Sequence, residues 1–248
     1  MSKIRLDIYL YEEGYFDSRE KAKRNIMAKN VLINDEPKIK PGELIDPKNI
    51  KSIRVKDKCP YVSRAGLKLA KAIEVFNLDL TNKVMLDVGS STGGFVDCAL
   101  QNGIGKVVAL DVGTNQLAYK LRNHKQVEVF EQTNFRTIPN DFFKDKFDII
   151  TMDVSFISSL LLVENVYNNL KDDGMFILLI KPQFEAGIEV KRNKHGVIVN
   201  QEDINRVKNE VINKIKDYGF KCIDVINSPI KGAKGNQEFL SLFVKNMN

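Results

Sequence analysis

Seven short apolar runs in the last three quarters of the chain do most to limit its fold: Val84 to Val88, Lys106 to Leu110, Val127 to Phe130, Phe147 to Met152, Met175 to Ile180, Lys221 to Ile226 and Phe239 to Val244. Helical segments separate them, and strand, helix, strand repeated in this way predicts an α/β unit, a mostly parallel seven-stranded sheet covered on both faces. The stretch Glu202 to Tyr218 sets Ile204, Val207, Val211, Ile212 and Ile215 on one side and stops at Gly219, as a surface helix over such a sheet would. Those aliphatic residues read as core. Met175 to Ile180, the longest apolar run, is far short of the ~20 residues of a spanning helix, and charges interrupt the first residues at once. No membrane partner is expected, and the location is read as cytoplasmic.

The chain has 248 residues, 43% of them hydrophobic, enough for one large domain or two modest ones. Its net charge of +6 is unevenly placed: residues 1 to 60 hold 14 of the 38 Lys and Arg against 10 of the 32 Asp and Glu, a net of +4. A basic excess gathered in one segment points to a polyanionic partner. Pro37, Pro41-Gly42, Pro47 and Cys59-Pro60 punctuate that segment, which places a boundary near Pro60, with a front domain over 1 to 60 and a second over 61 to 248. Cys59, Cys98 and Cys222 are far apart and in no Cys-x-x-Cys pair, so no disulfide framework and no metal site is expected.

In the front segment, Leu6 to Leu10 suggests a short helix stopped by Gly14, and Asp17-Ser18-Arg19-Glu20 suggests a capping box opening a second helix through Ala28. On that second helix Ala22 and Ile26 share a face fit for packing, while Arg19 and Lys23 share a cationic face left in water. The runs Arg5 to Leu10, Ser18 to Ala22 and Val31 to Asn34 resemble the RNA-binding domain of small-subunit ribosomal protein S-four over most of residues 3 to 55. The resemblance implies a small α+β domain with phosphate contacts from Arg5, Arg19, Lys23, Arg24 and Lys29, and from Arg64 just beyond it. Such contacts position RNA without reading its sequence.

In Leu86-Asp87-Val88-Gly89-Ser90-Ser91-Thr92-Gly93-Gly94-Phe95 a strand enters a Gly-rich turn and then a helix. The glycine spacing is not the Gly-x-Gly-x-x-Gly of dinucleotide sites, so no tight pyrophosphate turn is offered. About 20 residues on, Ala109-Leu110-Asp111 ends the next strand with an acid that could accept a ribose diol. The segment Val84 to about Asn134 resembles the S-adenosylmethionine site of Rossmann-like class I methyltransferases. That implies cofactor contacts by Gly89 and Gly93, with Asp87, Ser90, Gly94 and Phe95 around the turn, Asp111 at the ribose, and Asn134 with Phe135 near the adenine. Asp87 has a competing reading as a mere cap of the turn.

Four polar residues fall where a doubly wound sheet delivers side chains to its crevice: Lys68 after the boundary, Asp153 and Lys181 at strand ends, and Glu238 before the last strand. Burial and nearby carboxylates together can hold one such lysine close to neutrality while the other stays charged. The set resembles the Lys-Asp-Lys-Glu tetrad of FtsJ-type ribose 2′-O-methyltransferases. With the basic front domain, Ser63 to Lys68, Asp153-Val154-Ser155-Phe156, Lys181 to Glu185 and Ser228 to Gly232 resemble the TlyA family over nearly the whole chain. The family implies transfer of the S-adenosylmethionine methyl to a cytidine 2′-hydroxyl in ribosomal RNA. In it Lys181 takes or steers the proton, Asp153 orients it, and Lys68 and Glu238 fix geometry and charge. A chain that starts at the RNA-binding segment and stops four residues after Val244 resembles the shorter members, which favours large-subunit RNA without deciding the subunit.

Other readings fare worse. No Pro-Pro-aromatic follows Asp153, as amino-group transfer would want, and Cys98 and Cys222 fall in a helix and a late strand rather than at a nucleophile's place. A non-catalytic RNA-binding or assembly factor would not need Asp111 and an intact four-residue set. Direct membrane damage, suggested by relatives labelled hemolysins, has no inserting segment to act through. The loop Lys191 to Gly196, with His195, reads as solvated surface or as a secondary RNA contact. A monomer is expected, bound to ribosomal RNA or a ribosomal subunit.

Overall fold

The computed structural model describes residues 3 to 16, 18 to 56, 59 to 139 and 141 to 246. It divides into two compact units, residues 1 to 60 and 61 to 248.

The front unit runs β1 (Ile4–Arg5), α1 (Leu6–Glu12), α2 (Arg19–Met27), β2 (Val31–Ile33), β3 (Glu36–Pro37), β4 (Leu44–Ile45) and β5 (Ile53–Val55). Strands β3, β2 and β5 form an antiparallel sheet, and β1 pairs with β4. Between β2 and β3, Asn34 and Asp35 both take positive φ (52° and 66°), as a two-residue hairpin turn with the twist of its strands requires. Leu6, Leu10, Ala22, Ile26, Val31 and Ile33 close a small core.

The structure corrects the expected capping box. Ser18 caps α2, yet its hydroxyl accepts from Lys21 N, the third helical residue, and a lysine there cannot return the bond. Glu20 instead pairs with Lys23 at 2.7 Å. Asp17 lies outside the described residues. The cationic face is not simply wet either: Arg19 Nε donates to the fully buried Asp7 at 2.8 Å, and Arg5 grips the same carboxylate at 3.0 and 3.2 Å.

The second unit runs α3 (Ala65–Val75), β6 (Val84–Val88), α4 (Gly94–Gln101), β7 (Lys106–Leu110), α5 (Tyr119–Arg122), β8 (Val127–Phe130), β9 (Phe147–Met152), α6 (Val163–Asn169), β10 (Leu170–Ile180), α7 (Pro182–Glu185), α8 (Gln201–Asp217), β11 (Phe220–Asn227) and β12 (Phe239–Lys245). Its seven strands lie in the order β11-β12-β10-β9-β6-β7-β8, with β10 through β8 mutually parallel and β12 antiparallel to both neighbours. Strand β10 starts earlier than its apolar run: Leu170 already pairs with Phe147, and the register shifts before Met175.

Side chains alternate across the sheet as strand geometry requires. Leu86, Ile150 and Leu178 enter the core under α6 and α8; Met85, Ile149 and Ile177 enter the one under α3 and α4. Asp87 and Thr151, two residues on from Met85 and Ile149, therefore face the α3 and α4 side. The chain leaves β6 toward β7 on one side, while β9 lies on the other. The crevice beyond the carboxyl ends of β6 and β9 is thus the switch point where open α/β sheets hold ligands.

Candidate active site

Two adjoining cavities occupy that crevice. The first, of about 270 Å³, is lined by Gly89, Asp111, Val112, Asn134, Phe135 and Asp153, among others. The second, of about 670 Å³, is lined by Arg64, Lys68, Asp87, Ser90, Phe156, Lys181, Phe184 and Glu238, among others. Gly89, Ser91, Asp153 and Ser155 belong to both and mark the junction.

The Gly-rich turn spends its own amides. Gly89 N and Ser90 N both donate to Leu110 O, and Ser91 N donates to Asp111 Oδ2 at 2.8 Å. Asp111 Oδ1 accepts from Gly113 N at 2.7 Å. A carboxylate has about four lone-pair sites, so Asp111 keeps acceptor capacity toward the first cavity while bracing the turn. Gly89 takes a left-handed φ of 80°, which favours glycine, and a Cβ there would press on Asp153 O at 3.1 Å.

The structure redistributes the other glycine expectations. Gly93 (φ 89°) lines neither cavity; a Cβ would stand 2.4 Å from Leu121 and 2.7 Å from Leu117, so it lets α4 pack against α5 and the segment before it. Gly94 lines the second cavity, and a Cβ there would meet Ser63 and Ala65, so glycine also permits the close approach of α4 to the start of α3. Phe95 touches the second cavity but is 3% exposed and mainly core. Asn134 is exposed at the first cavity, its amide oxygen accepting from Arg136 N.

Asp87 is fully buried: Oδ1 accepts from Thr151 Oγ1 at 2.7 Å, and Oδ2 has no partner. Burial pushes its carboxyl up to about 7, against the pull of the Thr151 hydroxyl and with a further push from Asp153 and Asp111. It is no mere turn cap, since its hydrogen bond runs across the sheet.

The four residues from α3, the ends of β9 and β10, and the approach to β12 form one array. Lys68 Nζ reaches Asp153 Oδ2 at 3.2 Å and Glu238 Oε2 at 3.1 Å, and Lys181 Nζ stands 2.6 Å from Asp153 Oδ1. Lys68, Lys181 and Glu238 are buried. Burial raises the Asp153 carboxyl, but Lys181 and Lys68 outweigh it and hold it below the usual range. Sequence reasoning missed Ser155, whose Oγ accepts from Lys181 at 2.8 Å, and Gln183, which donates to Glu238 at 3.1 Å. Both sit within two residues of a tetrad member, the one signal that would have found them. It also missed the rings of Phe156, 91% exposed, and Phe184, 5.1 Å apart beside Lys181.

Of the basic residues, Arg64 is exposed at the second cavity. Arg24 and Lys29 are exposed, and the described residues give them no ion pair. Cys98 and Cys222 are poorly placed as nucleophiles: burial pushes the Cys98 thiol up to about 11, and Cys222 is raised too. Among the described residues no helix is long and apolar enough to cross a membrane.

A parallel sheet with a reversed strand beside its edge, a Gly-rich turn after β6 and an acid ending β7 define the second unit as a Rossmann-like class I methyltransferase fold. Solved methyltransferases share it at low identity, among them one described as S-adenosylmethionine dependent from Listeria monocytogenes (19% identity, TM-score 0.55, covering 75% of this chain and 100% of that one). The chain belongs to the FtsJ-like methyltransferase family, whose model matches residues 61 to 245, and carries an S4 domain over residues 4 to 50. It is 44% identical over 244 residues to a protein named hemolysin A of Brachyspira hyodysenteriae, covering 97% of this chain and 100% of that one. To the protein named 23S rRNA (cytidine-2′-O)-methyltransferase TlyA of Campylobacter jejuni it is 41% identical over 187 residues, 75% of this chain and 72% of that one.

Proposed function

We propose that the protein transfers the methyl group of S-adenosylmethionine to the 2′-hydroxyl of a cytidine in ribosomal RNA, in the cytoplasm. The observation that carries this reading is the Lys68, Asp153, Lys181, Glu238 array at the junction of two cavities. The front S4 domain and the Campylobacter relative's name support the RNA substrate and its cytidine.

The first cavity and its junction suit the cofactor. Asp111 offers acceptors to a ribose diol, Asn134 and Phe135 flank space for an adenine, and Gly89 keeps the turn low; in the second cavity, beyond the junction, the unpartnered Asp87 oxygen suits the cofactor's ammonium. S-adenosylmethionine would supply an electrophilic methyl: the ribose oxygen forms the O–CH3 bond as the C–S bond breaks with its electron pair going to sulfur. Lys181 steers the hydroxyl and takes up or passes on its proton. Asp153, kept ionised by two lysines, orients Lys181, while Lys68 bridges Asp153 to Glu238 and holds the array together. The rings of Phe156 and Phe184 give a base a surface to stack on. The domain over 1 to 60 holds RNA phosphates and that over 61 to 248 performs the transfer.

Nucleoside mass spectrometry of ribosomal RNA treated with the protein and S-adenosylmethionine should find 2′-O-methylcytidine. Lys181→Ala should lower turnover by at least a hundredfold with cofactor affinity within about twofold, as expected for a group used in the transition state. A methyl on a base, or near-normal turnover in that variant, rejects the reading.

A further inference from the structure

We propose that Ser155 is a positioning residue for the transfer: its hydroxyl and the Asp153 carboxylate together leave the Lys181 amine a single direction in which to meet the ribose hydroxyl. The inference rests on the methyl-transfer reading and adds a fifth residue to the array.

The nitrogen of Lys181 has three staggered positions about its Cε–Nζ bond. One points at Asp153 Oδ1, 2.6 Å away, and a second at Ser155 Oγ, 2.8 Å away. Bonds to both acceptors fix where the nitrogen sits and leave only its third position directed at the ribose oxygen. With Asp153 alone the nitrogen could swing about a single bond, and a share of encounters would find it misdirected. Asp153 and Ser155 line both cavities, whereas Lys181 lines only the larger. The free position therefore opens to the larger cavity.

The local chain is built to hold Ser155 there. Phe156 takes a left-handed conformation (φ 65°), which a bulky residue adopts only under constraint. Just beyond it, Ser158 Oγ, Ser159 N and Ser159 Oγ donate to the Glu185 carboxylate at 2.5, 2.9 and 2.7 Å. Glu185 ends α7, which opens one residue after Lys181. One carboxylate thus ties the loop bearing Ser155 to the element bearing the lysine. Ser155 itself is exposed, so changing it leaves the core untouched.

The test compares the full-length protein with Ser155→Ala and Ser155→Thr, using ribosomal RNA and S-adenosylmethionine. In Ser155→Ala, kcat should fall roughly tenfold from lost orientation, while KM for RNA, calorimetric affinity for the cofactor and melting temperature stay as they were. Ser155→Thr, which keeps the hydroxyl, should recover most of kcat. An unchanged kcat in Ser155→Ala, a loss that resides in KM or cofactor affinity, or equal losses in both variants would overturn the assignment. If the unsubstituted protein leaves no methyl on a ribose oxygen, the methyl-transfer reading has failed, a result separate from any behaviour of Ser155.

Discussion

At Asp87 a buried carboxylate borders the second cavity, with Oδ1 bonded to Thr151 and Oδ2 unpartnered. Its pKa near 7 lies above the ~3.9 of an unfolded aspartate. Between those values the folded protein keeps a proton that the unfolded chain has released. Asp87 therefore costs no stability below about pH 4, costs progressively more as pH rises toward about 7, and nothing additional above that. A cation delivered to the free oxygen reverses the preference. Cofactor binding at pH 6 should release close to one proton, seen as a calorimetric enthalpy that changes with the ionisation enthalpy of the buffer. Asp87→Asn should remove that buffer dependence and weaken binding about tenfold or more. A buffer-independent enthalpy at pH 6 in the unsubstituted protein would remove Asp87 from the cofactor site. In the sequence Asp87 read equally well as a cap, because the partner that decides the matter, Thr151, comes from another strand.

Among the elements, strands β6, β7, β8 and β9 have the bounds their apolar runs predict, because alternation and flanking turns are local signals. Strand β10 is longer than its run, since pairing of Leu170 with Phe147 extends it through charged residues. The tie between the loop after β9 and helix α7 was invisible in the same way: nothing near Glu185 says that Ser158 and Ser159 will meet it. That tie predicts a measurable stiffness. Glu185→Gln replaces one acceptor oxygen by a donor, so three donors share a single acceptor. Amide hydrogen exchange over residues 155 to 161 should quicken about tenfold, and turnover should fall several-fold with it. Unaltered exchange in that segment would show that the loop is held by other contacts.

At the scale of the whole molecule, charge placement and the order of segments already pointed to a basic module ahead of an α/β enzyme. Charge placement alone does not tell which cations are free. Arg5 and Arg19 are partly spent on Asp7, whose carboxyl burial raises but the two guanidinium groups hold below its ordinary value. Lys23 is paired with Glu20. Arg24 and Lys29, exposed, are the better candidates for holding phosphates. Reversing both, Arg24→Glu with Lys29→Glu in the full chain, should weaken binding to structured ribosomal RNA and flatten its dependence on log salt by roughly two units, one for each phosphate no longer neutralised. Cofactor affinity should not move. An unchanged salt slope would shift RNA binding to other basic surfaces, such as Arg64.

The sequence by itself determined the α/β class, the positions of the strands and the Gly-rich turn with its acid about twenty residues on, since each is written in short-range spacing; Lys68, Asp153, Lys181 and Glu238 were singled out through their resemblance to a family tetrad. Only the tertiary structure decided which of these meet. Lys68 and Glu238 are 170 residues apart in the chain and 3.1 Å apart in space. It also decided that Gly93 and Gly94 admit close packing around α4 and that Ser155 joins Lys181. Periodicity reports which face of an element is buried, but which side chains touch across the crevice follows from strand order and register, set by the packing of the whole sheet.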